Sequence, residues 1–274
     1  MQRTLSDGTF KVEGASMFGP VSRLAWEQWM QPDRKHRITL ELNCLFLETS
    51  QGKKILVNTG IGTVIRAEQN FQDTYAPSSS KLIRNLNEIK VTPNNIDIVL
   101  LTDLRFPSAG GCMRLNRAGK AVPTFSKAVY IVQKDALMEA TRPGILQELW
   151  YHDVVSPLAQ QDKLFVIEGD QEIDAGIRVI RTDGPSQGHQ IVVVEWGADR
   201  ILYLGSLLPT KHHIDLKCHA IHERFPEQTL AWKQKILHMA ERGGYLVIFQ
   251  HGNACTGYIE KNRDGMYYLR EINR

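Results

Sequence analysis

The chain has 274 residues, with 33 Lys plus Arg against 30 Asp plus Glu, 42% hydrophobic and 23% charged residues. These values exclude collagen-like, low-complexity and intrinsically disordered classes, and the length is enough to bury a sizeable core without disulfides or a structural metal. A formal charge of +3, with 9 His counted as neutral, gives no argument for nucleic acid or for an acidic membrane surface.

Hydrophobic patterning switches repeatedly between strand and helix periods. A strand is predicted over Ile38–Glu48, then a turn at Ser50–Gly52 and a short buried strand over Lys54–Val57. Ser78–Ser80 can cap a helix over Lys81–Ile89, with Leu82, Ile83, Leu86 and Ile89 on one face. Ile96–Leu101 is a continuous apolar run of the kind buried on both faces. Ala128–Val132 follows as a strand and Lys134–Ala140 as a helix. Gly176–Arg181, Gln190–Glu195 and Arg200–Leu204 predict three successive strands. Pro226–Arg242 predicts a long helix, with Pro226 in its first turn and Gly243-Gly244 at its end. Tyr245–Gln250 closes as a strand, and Gly257–Glu260 with Met266–Glu271 as a hairpin.

Four cysteines, Cys44, Cys112, Cys218 and Cys255, stand far apart without CxxC spacing, which gives neither a zinc ribbon nor a redox motif. The N-terminal residues have no apolar run of signal-peptide type, and the longest apolar runs, near Ile98–Leu101 and Ile191–Val194, are far short of a membrane span. A cytoplasmic protein is expected. Alternating strands and helices without a linker predict one domain over 1–274, with two mixed sheets and helices outside, α-β-β-α. In such folds the ligand site lies where loops leave the carboxyl ends of strands. Those loops are Asn58–Gly62, Asp103–Gly111, Asp183–His189, Ser206–His213 and His251–Cys255.

The five loops resemble, in order and spacing, those of the metallo-β-lactamase superfamily, in the branch of lactonase-like hydrolases. Ile55–Gly62 resembles its hydrophobic-Asp-Thr-Gly motif. Val99–Thr102 and Ala109–Gly111 frame its main metal motif, Thr-His-x-His-x-Asp-His-x-Gly-Gly. Arg181–Gln190 resembles its Thr-Pro-Gly-His loop, and Tyr203–Thr210 its Gly-Asp-Leu-x-Pro-Thr stretch. The resemblance implies a four-layer αββα sandwich. It also implies a di-metal hydrolase, yet the ligand places hold Asp103, Arg105, Pro107 and Ser108, then Pro185 and Ser206, with Asn58 for the supporting Asp. His251 alone has the ligand's residue type, and His189 matches a His that is structural in the family. Pro107 and Pro185 have no side-chain donor, and a guanidinium at Arg105 repels a dication. The expectation is therefore no metal cofactor and a degenerate site, a pseudoenzyme whose pocket of Asp103, Arg105, Ser108, Ser206, His213 and His251 binds a small, anionic ligand or a protein partner. The alternative is an active hydrolase of lactone or ester bonds with a non-standard metal centre.

Other features stay open between two readings. The His212-His213 pair is either pocket-lining, at His213, or a solvated loop. Cys218-His219-x-x-His222 resembles a metal cluster but has no fourth ligand. Cys112 could be a nucleophile with His251 as base. Asp103 could pair with Arg105, act as a base, or join His251 and one of Asp183, His189 or His222 in a rebuilt metal site. Ser16–Met30, rich in Trp and Met within an N-terminal lid or strand segment 1–35, is either a lid that shapes a pocket or a dimer contact, or a helix packed on the core.

Overall fold

The computed structural model describes residues 1–64, 75–141, 154–252 and 256–272. Its contacts divide the chain into two compact units, Met1–Phe10 with Glu41–Glu168, and Lys11–Leu40 with Gly169–Arg274. No linker marks the boundary in sequence because each unit is built from two separate stretches.

In chain order the elements begin with β1 (Gln2–Glu13), α1 (Gly14–Phe18), α2 (Arg23–Trp29), β2 (Arg37–Glu48) and β3 (Lys54–Val57). Then come α3 (Leu82–Glu88), β4 (Ile98–Leu100), α4 (Phe106–Ala109), β5 (Met113–Leu115), β6 (Ala121–Pro123) and β7 (Val129–Gln133). Next are α5 (Lys134–Ala140), α6 (Ser156–Ala159), β8 (Leu164–Ile167), β9 (Gln171–Asp174), β10 (Ile177–Arg181), β11 (Gln190–Trp196) and β12 (Asp199–Tyr203). The chain closes with α7 (Pro226–Gly243), β13 (Leu246–Ile248), β14 (Thr256–Lys261) and β15 (Tyr267–Glu271).

One six-stranded sheet runs β1-β2-β3-β4-β7-β8, and one seven-stranded sheet runs β15-β14-β13-β12-β11-β10-β9. Both are mixed: β3, β4, β7 and β8 are parallel neighbours while β2 is antiparallel to β3, and β12 and β13 are parallel within an otherwise antiparallel meander. Two mixed sheets together with the helices give the mixed α/β class expected from the sequence.

In the first unit, Phe46, Leu56, Val99 and Tyr130 from adjacent strands share one buried cluster with Leu82 and Leu86 of α3. In the second, Ile191, Val193, Leu202 and Val247 pack with Ile236, Leu237 and Ala240 of α7. The helix carries Pro226 in its first turn and ends on Gly244 in the left-handed conformation, φ 62°, where a glycine avoids Cβ strain. Among the described residues no helix is long and apolar enough to cross a membrane.

Within the N-terminal segment 1–35, expected as lid or strand, Gln2–Glu13 forms β1 although it lacks clean alternation and contains Asp7-Gly8. One expectation is corrected. The start of α3 is not capped by Ser78–Ser80. Leu82 N donates to Asp7 Oδ1 at 3.2 Å, Ser80 donates its hydroxyl to the same carboxylate, and Ser78 Oγ instead accepts from Thr9 N at 2.7 Å. Local propensity pointed to serines, but a carboxylate brought from β1 is the stronger acceptor.

Within Ser16–Met30, Met17, Phe18 and Trp26 are buried, and Phe18 stacks with Trp26 at 6.0 Å. Leu24 is 80% exposed, so the segment packs most of its large side chains into the second unit and presents one to solvent.

Replacing Asp7 with Ala would leave three backbone N–H groups and a hydroxyl buried without their acceptor. The expected loss is about 3 kcal/mol of stability, read from the midpoint of urea unfolding at unchanged slope. A midpoint equal to wild type would show that the loops it holds are fixed by other contacts.

Candidate functional site

In the first unit the site loops leave the carboxyl ends of β3 and β4. Asn58 follows β3 with φ 59°, a left-handed conformation that Asn tolerates better than most residues. Its Nδ2 donates to Thr102 Oγ1 at 2.9 Å, and its Oδ1 accepts from Thr102 N at 2.9 Å. A neutral amide can do both, where a carboxylate can only accept. Thr59 N and Oγ1 both donate to Ser108 O, at 2.7 and 3.1 Å. The two loops thus fasten to each other, and glycine is required where they touch. A Cβ on Gly110 would lie 2.3 Å from Ile61 O, and one on Gly111 2.1 Å from Thr59 O.

Asp103 is 2% exposed. Its Oδ1 accepts from Arg105 N at 3.2 Å, and its Oδ2 lies 3.4 Å from Arg105 Nε. The Arg105 side chain is 17% exposed. Its Nε and Nη2 are buried and have no hydrogen-bond partner among the described residues. Phe106 packs against Phe10, edge to face at 5.8 Å, and against Tyr75 at 4.6 Å. Pro107 sits in the first turn of α4, where a missing N–H costs nothing. Ser108 is fully buried. Cys112 is also fully buried, and burial pushes its thiol up to about 12. A nucleophilic role for Cys112 is therefore not supported: the thiolate it needs is disfavoured.

In the second unit, Asp183 closes its own loop, with Oδ2 at 2.6 Å from Arg181 Nε and Oδ1 accepting from Gly188 N at 2.7 Å. Pro185 O accepts from Arg224 N at 3.0 Å, so this ligand place contributes only a carbonyl to the fold. His189 is fully buried. Its Nε2 accepts from Ser206 N at 3.1 Å, which leaves Nδ1 to donate to Thr182 Oγ1 at 2.6 Å. That is the structural role the resemblance implied. His251 is 5% exposed, and its N donates to Pro209 O at 2.8 Å. The loop after it includes Cys255, which lies outside the described residues.

His213 is fully buried, with Nε2 donating to Met17 O at 3.0 Å and Nδ1 accepting from Thr210 Oγ1 at 2.8 Å. Phe18 stacks on the ring at 5.7 Å. With both nitrogens engaged by protein groups, His213 pins the N-terminal segment and has no ring atom left for a polar ligand. Burial holds its value well below the ordinary one, with the Lys233 cation adding to the shift. His212 stacks on Trp29 at 4.8 Å and 4°, and burial, helped by Lys211, pushes it down to about 4.

Among the described residues no three His, Cys, Asp or Glu side chains gather as a metal-binding group. Cys218 and His219 with His222 therefore do not form one, and the Cys218 thiol is pushed up to about 12 by burial. Sequence reasoning missed Asp7, Thr102, Thr182 and Thr210, which orient the loops. The partners of Asp7 and Thr102 are set by tertiary contacts and leave no local spacing signal, whereas Thr182 and Thr210 bond His189 and His213, seven and three residues on.

Two mixed sheets with their loops at these strand ends define the class. The metallo-beta-lactamase superfamily pattern matches residues 40–251, and the chain belongs to that superfamily. Among its relatives, an N-acyl homoserine lactonase of Bacillus cereus is 28% identical over 167 residues, covering 58% of this chain and 60% of the relative. The chain thus matches somewhat less than two thirds of that curated protein's length. A solved structure of a probable metal-dependent hydrolase from Staphylococcus aureus is 25% identical with a TM-score of 0.85, covering 100% of this chain and 98% of the other. AidC, a dizinc quorum-quenching lactonase solved with a product, shares the fold at 16% identity and a TM-score of 0.74, covering 100% of this chain and 94% of its own.

These relatives correct the expectation of no metal cofactor. One is described as a dizinc lactonase and another as a probable metal-dependent hydrolase, so the missing ligand types do not by themselves exclude a metal from this chain. The side chains at the motif positions do not supply the standard donors of a pair of ions. The one carboxylate at the motif in the first unit, Asp103, faces the Arg105 guanidinium at 3.4 Å, and Pro107 and Pro185 bring no side-chain donor.

The two histidines give a pH test. An imidazole held below its ordinary value of 6.5 takes up its proton in the unfolded chain first. Stability from it is full above that value and falls as pH drops toward about 4. His212→Phe, which keeps a ring on Trp29, should flatten the fall of the unfolding midpoint over this range. An unchanged slope would show that the stack does not exclude the proton.

Proposed function

We propose that the chain is a hydrolase of small substrates with a lactone- or ester-type bond, in which Arg105 holds the substrate's carbonyl or carboxylate oxygen. The observation that carries this is the Arg105 guanidinium at the loop that leaves β4, ion-paired with Asp103 at 3.4 Å but with Nε and Nη2 buried and without a hydrogen-bond acceptor among the described residues. Hydrolysis of such a bond moves negative charge onto the carbonyl oxygen. A fixed, always-charged fork donating two parallel N–H bonds suits both that oxyanion and the carboxylate product. Asp103 is the positioning residue, since its two oxygens face the Arg105 main chain and side chain. The substrate class is supported by the relatives, which include N-acyl homoserine lactonases.

A second reading, a protein that binds a small carboxylate without turning it over, is supported by the residue types at Pro107, Ser108, Pro185 and Ser206. One experiment separates them. Purified protein is assayed on acyl lactones and aryl esters with Zn²⁺, Mn²⁺, Fe²⁺ or Co²⁺ supplied in turn, and its metal content is measured. Turnover is expected, with kcat/KM falling about a hundredfold in Arg105→Ala and less in Arg105→Lys. No turnover under any supply, together with an Arg105-dependent rise in melting temperature with small carboxylates, would leave the binding reading.

A further inference from the structure

Within the second unit lies a cavity of about 710 Å³, a size that suits a small organic molecule. Its walls come from the α1–α2 connection, α2, the loop before α7, and the first turns of α7. Val21, Trp29, Leu216 and Leu230 supply apolar surface, and Glu223 and Lys233 line it as well.

The two buried charges differ in how they are satisfied. Lys233 is 1% exposed, and its Nζ donates to Cys218 O at 2.5 Å and to Asp215 O at 3.3 Å. Glu223 is 8% exposed. Its Oε1 accepts from Ala220 N at 2.9 Å, while Oε2 is buried with no hydrogen-bond partner among the described residues. Burial raises its carboxyl above the ordinary value. The Thr229 hydroxyl, Lys233 and His219 act against that rise, yet none of them reaches Oε2 in hydrogen-bond geometry, and the Lys233 ammonium is held by carbonyls.

We propose that this cavity binds a small organic ammonium with an aliphatic or aromatic body, its N–H donating to Glu223 Oε2 and its body lying against Trp29, Leu216 and Leu230. A neutral donor would satisfy the oxygen, but a cation also adds to the partial charge compensation that Lys233 gives from its place on the Asp215 and Cys218 carbonyls, and the charge of a carboxylate removed from water is the larger cost. The rim adds the same sign preference, with Asp215 and Glu227 against Lys217. An organic acid cannot donate to Oε2 while ionised and meets a like charge there. Nothing in this site involves Arg105, so its test is independent of the lactone assay.

The test is calorimetric titration of the full chain with phenethylamine, against phenethyl alcohol and phenylpropionate of similar shape. Saturable binding of the amine is expected, with the alcohol weaker and the acid silent. Glu223→Gln keeps the Oε1 acceptor for Ala220 and should weaken the amine by about tenfold or more. Leu230→Arg, at a rim position 40% exposed, should abolish binding by placing a cation in the mouth without disturbing the core. The proposal is overturned if wild type binds no amine saturably, if the alcohol or the acid binds as tightly as the amine, or if folded Glu223→Gln binds unchanged. Should Glu223→Gln fail to fold, unchanged binding by Leu230→Arg overturns it instead.

Discussion

The Asp7 carboxylate is fully buried, yet both its oxygens accept: Oδ2 from Ile61 N at 2.9 Å and Gly62 N at 3.1 Å, and Oδ1 from Leu82 N at 3.2 Å and the Ser80 hydroxyl. Burial raises its carboxyl, and these bonds act against the rise. The consequence reaches the site through covalent continuity. A Cβ on Gly60, at φ 69°, would fall 2.3 Å from Asp7 Cβ, so this turn can approach the carboxylate only as glycine. With Ile61 and Gly62 held, Asn58 and Thr59 are placed to bond Thr102 and Ser108, and the turn that carries Asp103 and Arg105 is framed from both ends. One acid, contributed by β1, sets the geometry of loops far away in sequence.

The second unit solves a similar problem with neutral imidazoles. His189 links Thr182 to the Ser206 main chain, and His213 links Thr210 to Met17 O. An imidazole that donates from one nitrogen and accepts at the other joins two loops with no net charge, provided it stays unprotonated. For His213, burial and the Lys233 cation secure that state. The threonine hydroxyls complete the relay, because each can donate or accept as the ring requires.

Much of this was legible in the sequence because it depends on local pattern. Strands such as Lys54–Val57 and helices such as Lys134–Ala140 are set by runs and periods that survive in any context. The loops Asn58–Gly62 and Asp103–Gly111 were legible as motif frames, and the structure supplies the reason for Gly110-Gly111 in the carbonyls of Ile61 and Thr59. What was hidden is what depends on distant partners. The cap of α3 comes from Asp7, not from the adjacent serines, and His213 is consumed by Met17 O from the far end of the chain. The residue types at Pro107, Ser108, Pro185 and Ser206 were legible as well, but they argue only about standard ligands, and inferring the absence of metal from them went beyond what side-chain type can decide.

Stability does not account for the Asp103–Arg105 pair. Withdrawing both charges from water costs more than an imperfect contact at 3.4 Å returns, and replacing such a pair with apolar side chains is often neutral or stabilising. The arrangement is also incomplete as a structural bond, because Nε misses hydrogen-bond geometry with Asp103 and Nη2 has no partner among the described residues. A guanidinium placed for the fold alone would be expected to use those donors on nearby carbonyls, as Lys233 does in the other unit. A buried cation with donors to spare has its missing interaction strengthened by the low local dielectric, so an anionic or carbonyl oxygen arriving there gains more than it would in water. On the proposed reading the pair is a site held ready for a ligand, with the cost of holding it carried by the loops that Asp7 fixes.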